Sequence, residues 1–235
     1  GGGWPPGHND PIECAVATEA IHLATAEAAV RLRRTGAPVA SIFGLSAVVA
    51  EDDAPATRKL VDRLYEVYWA PGLDLFREGV LRVRGRDPIE RPDLARSFDL
   101  LGFSNYSTIG VREGRVVPHP PGAPVSPLGY GISPESLGLV LDRLHQELPG
   151  TPLLIAEFGI GTSDDAERAT FLERGLEIAN QALTDGVDLR GFFHWTAVDN
   201  YEWLHGFDVS FGIIDRDRNV RPSALVLQRE ALPQA

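Results

Sequence analysis

The chain reads as an α/β protein built on a parallel sheet with helical crossovers, and three observations carry that reading. Short apolar runs alternate with longer segments of helical periodicity, four times over, behind a leading helix. The first apolar run is rich in β-branched residues and lacks strict alternation, as suits a strand buried on both faces. Substantial loops, at 107–131, 158–164 and 196–208, follow three of the four strand ends. In a barrel such loops build the site. A doubly wound open sheet also satisfies the alternation, but neither G-x-G-x-x-G nor G-x-x-x-x-G-K-[ST] follows the first strand. Four strand–helix units are half of the eight in a (β/α)8 TIM barrel.

The leading helix occupies residues 8–36. Asp10 is its N-cap, Pro11 its first residue, Glu13 the capping-box partner and Gly36 the stop. Residues 39–50 form the first strand. Asp53 and Pro55 start a second helix with Leu60, Leu64, Val67 and Tyr68 on one side. Residues 71–95 are charged and irregular. Residues 98–106 form the second strand, and 107–131, with five prolines and five glycines, a long loop. Ser133-Pro134 caps a helix carrying Leu137, Val140, Leu141, Leu144 and Leu148. Residues 152–156 form the third strand. Asp164 and Glu167 form a second capping box, and the helix behind them stops at Gly186. Residues 189–195 form the fourth strand, 209–215 a short extended piece and 222–232 a closing helix.

Composition narrows the function. The 235 residues are 43% hydrophobic, with 4 Trp, 10 Phe and 5 Tyr, enough for a sizeable core. A net charge of -11 and no basic stripe argue against nucleic acid. The one cysteine, Cys14, excludes an internal disulfide and a thiol metal cluster. The six histidines lack H-E-x-x-H spacing, and no apolar run reaches the length of a membrane span. There is no signal segment at the start, which points to the cytoplasm. A first residue of Gly1 fits a processed or truncated start; the absence of methionine throughout the chain has no explanation in the sequence.

Chemistry concentrates at two strand ends. Glu157 follows four apolar residues in Leu153-Leu154-Ile155-Ala156-Glu157-Phe158-Gly159, with Gly159 and Gly161 leaving room for close approach. A salt bridge or a loop cap is the bland account of such a Glu. The next strand end adds Phe192-Phe193-His194-Trp195 and then Asp199-Asn200-Tyr201-Glu202-Trp203. Indole faces stack on the apolar face of a pyranose, and carboxylates bind hydroxyls through short charge-assisted bonds. Glu202 reads as a hydroxyl binder and Asp199 as a loop-fixing residue. Asp52-Asp53, His8-Asn9-Asp10, Arg31, Arg33, Arg34 and His119 read as caps, dipole partners or solvated groups.

Leu154-Ile155-Ala156-Glu157-Phe158-Gly159 resembles the nucleophile motif Ile/Leu-Thr-Glu-Asn-Gly of family 1 glycoside hydrolases, the β-glucosidase family. Residues 192–203 resemble its motif Tyr-Phe-Ala-Trp-Ser-Leu-Leu-Asp-Asn-Phe-Glu-Trp, and Gly206-Phe207 and Phe211-Gly212-Ile213 extend the likeness. Leu101-Gly102-Phe103-Ser104-Asn105-Tyr106 resembles the family's Leu-Gly-Ile-Asn-Tyr-Tyr strand. Trp4-Pro5-Pro6-Gly7 and the helix with His22 resemble the segment after its fourth strand. The resemblance implies that residues 1–235 are the C-terminal half of a single (β/α)8 catalytic domain, supplying roughly strands 5–8. It implies a retaining β-glycosidase with Glu157 as nucleophile and Tyr106 hydrogen-bonded to it. Trp195 would be the sugar floor, Glu202 and Trp203 the glycone hydroxyl binders and Phe211 a wall. The acid/base Glu is expected before Gly1. No cofactor or metal is implied. The expected partners are a β-glycoside and the missing N-terminal half, in the same or another chain, or a second copy closing the barrel. A sugar-binding or scaffold remnant is the alternative. Phe158, His194 and Ser104 depart from the family pattern.

Overall fold

The computed structural model describes residues 7–231, so Trp4-Pro5-Pro6 and Leu232 lie outside the described residues. Helix α1 (Pro11–Leu32) begins where Asp10 accepts the backbone N–H groups of Ile12 and Glu13, at 2.7 and 3.0 Å. The capping box is not reciprocal, because Glu13 turns to His8 instead. A 3-10 turn carries the chain from α1 to Gly36, whose φ of 80° ends it.

Residues 39–50 are not one strand. They divide into β1 (Phe43–Gly44) and β2 (Val48–Ala50), which join different sheets. Helix α2 (Pro55–Tyr68) follows without an Asp53 cap; Asp52 accepts the N–H of Ala54 instead. Val67 and Tyr68 are exposed, and Tyr65 packs on the core in their place. Residues 71–95 are more ordered than their composition suggests. Helix α3 (Ala70–Glu78) buries Leu73, Leu75 and Phe76, and a short hairpin of β3 (Val80–Leu81) and β4 (Ile89–Glu90) comes next.

The strand β5 (Leu101–Asn105) lies where expected. The long loop does not; its first part is a hairpin of β6 (Ile109–Arg112) and β7 (Arg115–Pro118). Glu113 and Gly114, both at positive φ, make its two-residue turn. Helix α4 (Ser136–Glu147), strand β8 (Leu153–Phe158), helix α5 (Asp165–Thr184), strand β9 (Leu189–His194) and helix α6 (Ala224–Ala231) complete the order. Asp164 caps α5, while Glu167 binds the Thr162 hydroxyl rather than the cap N–H.

The main sheet runs β1-β5-β8-β9, parallel throughout and with neighbours in chain order. That is an α/β fold with a parallel sheet and helices consistent with a (β/α)8-type barrel. Leu153, Ile155 and Phe158 of β8 face the helices and join a core with Leu137, Leu141 and Phe171. Among the described residues no helix is long and apolar enough to cross a membrane.

Burial also sets one pH response. His22 of α1 packs on the Phe43 ring, and burial holds its imidazole below the ordinary histidine range. A base with a depressed folded pKa stabilises the fold above the unfolded value of about 6.5 and loses that contribution as pH falls through the folded value. The melting temperature should therefore drop between pH 7.5 and 5.5, where carboxylates stay ionised. A His22→Gln variant should show a smaller drop over the same interval.

Candidate active site

Glu157 owes its direction to an irregularity in β8. Against β5, Phe103 pairs with Ile155 but Ser104 pairs with Glu157, so β8 carries an extra residue there. Against β9, Ile155 pairs with Phe192 and Phe158 with His194, again one residue too many on β8. A β-bulge bends the strand and re-aims a side chain. Here it moves Glu157 off the helix-facing side that Ile155 and Phe158 occupy. Glu157 lies inside the strand rather than beyond its end.

Tyr106 meets it from the end of β5. Asn105, fully buried, donates to the Leu45 carbonyl and accepts from the Ser136 hydroxyl at 2.6 Å, which fixes the chain at that strand end. Tyr106, the next residue, then donates its hydroxyl to Glu157 Oε2 at 2.5 Å. Burial, and then the bond to Glu157, push the phenol well above its ordinary range, so it keeps its proton as donor. The Phe211 ring stands edge-on to Tyr106 at 6.0 Å between centroids.

Glu157, Tyr106, Trp195, Glu202, Trp203 and Phe211 all line one cleft of about 700 Å³. Trp203 is at its rim, 67% exposed. Glu202 accepts from Asn200 Nδ2 at 3.0 Å. The loop that carries it is fastened from below. Asp199 accepts the Gly212 N–H at 2.8 Å and takes both ends of the Arg221 guanidinium, at 3.0 and 2.7 Å. Burial raises the Asp199 carboxyl, but the Arg221 bonds outweigh it and hold the group below the usual range. From above, Tyr201 packs edge-on to Phe207, whose face carries the Arg216 guanidinium at 3.9 Å.

Gly159 and Gly161 make room for protein. A Cβ on Gly159 would sit 2.0 Å from the Trp195 carbonyl oxygen, and one on Gly161 3.1 Å from the Phe211 ring. These glycines let the Trp195 backbone and the Phe211 ring close on the segment that follows β8. Motif reading missed Tyr130 and Thr108, which also line the cleft and whose hydroxyls are buried with no hydrogen-bond partner among the described residues. Only the close glycine pair around Tyr130 hinted at a compact loop there. His119 is no loose loop residue; it binds the buried Glu51 carboxylate at 2.9 Å.

Residues 90–229 match the model for Glycosyl hydrolase family 1. The chain is 34% identical over 146 residues to a bifunctional beta-D-glucosidase/beta-D-fucosidase of Bifidobacterium breve, covering 49% of this chain and 32% of that protein. It is 39% identical over 108 residues to a beta-galactosidase of Sulfolobus acidocaldarius, covering 44% and 22%. The crystal structure of the beta-glycosidase of Thermosphaera aggregans superposes with a TM-score of 0.81 at 26% identity, over 96% of this chain and 50% of that one. The chain thus spans a third or less of those two curated relatives and half of that structure. With more than half of its length in the family match, and a parallel-sheet fold shared with a solved relative, this chain belongs to glycosyl hydrolase family 1.

Proposed function

We propose that residues 1–235 are the C-terminal half of a single (β/α)8 catalytic domain, supplying roughly strands 5–8, and that they carry the nucleophile side of a retaining β-glycosidase site. The Tyr106–Glu157 hydrogen bond at the floor of an aromatic cleft is the observation that carries this reading. With Oε2 held by Tyr106, Oε1 of Glu157 attacks the anomeric carbon of a β-glycoside. The bond to the aglycone oxygen breaks as an acid protonates that oxygen, and a glycosyl-enzyme ester forms on Glu157. Water, deprotonated by the same acid/base group, then releases the sugar and the Glu157 carboxylate. Trp195 is the floor beneath the ring, Glu202 and Trp203 bind outer hydroxyls and Phe211 closes a wall. The orphan hydroxyls of Thr108 and Tyr130 suit a polyhydroxylated ligand.

The proton donor is assigned to the other half of the domain. Glu157 and Glu202 are the carboxylates among the residues lining the cleft, and Glu202 belongs to the hydroxyl-binding loop. Taken alone, then, the 235 residues support the lesser reading: a sugar-binding half-site that lacks its acid. The open edge of the sheet favours a partner half. Phe193 of β9 is 58% exposed, and an apolar groove of about 540 Å³ runs past it between Leu189, Phe192, Ile213 and Leu227. Exposed strand edges of this kind call for pairing.

The purified 235-residue chain should not hydrolyse an aryl β-glucoside above the buffer rate. Co-expression with an N-terminal half from a family member, carrying its acid/base Glu, should restore turnover. Robust hydrolysis by the chain alone would sink the half-site assignment.

A further inference from the structure

His194 stands one residue before Trp195, at the end of β9, and does not reach the cleft carboxylates. Its two ring nitrogens face two backbone carbonyls: Nδ1 lies 3.0 Å from the Phe158 oxygen and Nε2 3.2 Å from the Phe211 oxygen. Phe158 directly follows Glu157 on β8. Phe211 is the wall whose ring packs edge-on to Tyr106. The imidazole therefore lies between the nucleophile's strand and the support of the nucleophile's tyrosine, and its one N–H can bond only one of the two carbonyls. We propose that His194 is a positioning residue for Glu157: its ring N–H ties the end of β9, whose backbone pairs with β8 at Phe158, to the Phe211 wall, so that Tyr106 keeps its bond to the carboxylate. This inference rests on the role proposed above for Glu157.

The surrounding contacts show that the wall is held on purpose-placed donors. Arg168 of α5, 1% exposed, donates to the Ser210 carbonyl at 3.0 Å and to the Thr162 carbonyl. Arg221 donates to the Gly212 carbonyl at 2.5 Å. Three consecutive carbonyls, of Ser210, Phe211 and Gly212, thus each receive a side-chain donor, and His194 serves the middle one. Among the described residues the Phe211 carbonyl otherwise has only the Thr196 N–H at 3.4 Å, whereas the Phe158 carbonyl already accepts the Trp195 N–H at 3.0 Å. The ring N–H is needed at Nε2, which assigns the tautomer from the hydrogen-bond network. Burial holds the imidazole below its ordinary range, ahead of the two carbonyls that favour the cation, and the Arg168 charge adds to the lowering. The neutral ring has a single N–H, and on this account it goes to the wall.

Two measurements decide the proposal. In ¹⁵N-imidazole spectra of the full-length protein at pH 8, His194 should show one fixed Nε2–H tautomer; an averaged ring or an Nδ1–H tautomer would overturn it. In kinetics on an aryl β-glycoside, His194→Ala should lower kcat about tenfold or more with KM within about twofold, the mark of lost orientation rather than lost binding. His194→Gln keeps one N–H donor and should recover most of that loss, so a fold defect in the alanine variant does not shield the idea. Without any turnover, the Tyr106 hydroxyl proton resonance, which the 2.5 Å bond should place far downfield in the parent, should broaden or vanish in His194→Ala. A His194→Ala protein that keeps both that resonance and its kcat overturns the brace while leaving Glu157 as nucleophile. A Glu157→Gln protein that stays active overturns the nucleophile instead, and the hydroxyl resonance alone then decides the brace.

Discussion

Glu157→Gln in the full-length protein should lower kcat/KM on an aryl β-glycoside by at least about a thousandfold, because the amide removes the covalent route while keeping the shape of the site. Tyr106 can still donate its hydroxyl to the glutamine carbonyl oxygen, so the floor of the cleft is preserved. Trp195, Glu202 and Trp203 are untouched, and ground-state binding of the sugar should change little. The loss should therefore fall on kcat with KM nearly constant. Mass spectrometry of the parent, quenched during turnover of a slow-leaving glycoside, should find the sugar attached to the peptide that contains Glu157. A loss below about tenfold would return Glu157 to the status of a structural carboxylate.

The parts of this molecule that were legible in sequence are those whose signal is local. Asp10 and Asp164 each announce a helix by a short side chain that accepts the first free N–H groups, and both do so in the structure. The six candidate residues sit at strand ends and in one loop, and the sheet gathers them because its strands are parallel and neighbours in chain order. What failed depended on tertiary context. Helix α3 holds Pro71 and Gly72 in its first turn, which lowers its helical signal, yet burial of Leu73, Leu75 and Phe76 decides the matter. The hairpin of β6 and β7 was hidden in a Pro- and Gly-rich stretch, although Glu113-Gly114 between two apolar runs is a turn signal. The run 39–50 splits because Leu45 and Ser46 leave the sheet. Leu45 gives its carbonyl to Asn105, and Ser46 gives its own to the Trp69 indole. The bulge in β8 has no sequence mark, although it is what turns Glu157 into the cleft.

The same dependence on distant partners makes Arg221 a residue whose loss should cost stability well beyond that of a surface change. Its guanidinium takes Asp199 at both oxygens and the Gly212 carbonyl, while Asp199 accepts the Gly212 N–H. The Asp199 side chain is only 9% exposed, so removing the cation leaves a carboxylate with little water to replace it. Breaking such a pair by deleting one partner typically costs about 3–5 kcal/mol, and Arg221→Leu should approach that figure in denaturant unfolding. Asp199→Asn keeps an acceptor for the Gly212 N–H and should cost less. The double change Asp199→Asn with Arg221→Leu should be less destabilised than the sum of the two, since no unpaired charge remains. The acid dependence has a definite sign. Asp199 has a depressed folded pKa, so its contribution is complete above the unfolded carboxylate value of about 3.9 and is lost as pH falls through the lower folded value. In Arg221→Leu the cation that depresses this pKa is gone, so that contribution to acid sensitivity should shrink. The loop 199–208 is anchored through this pair, and Glu202 and Trp203 should loosen with it. At a temperature where the variant is still folded, KM should rise more than kcat falls. Equal stability of Arg221→Leu and parent would remove the pair from any account of how the cleft is held.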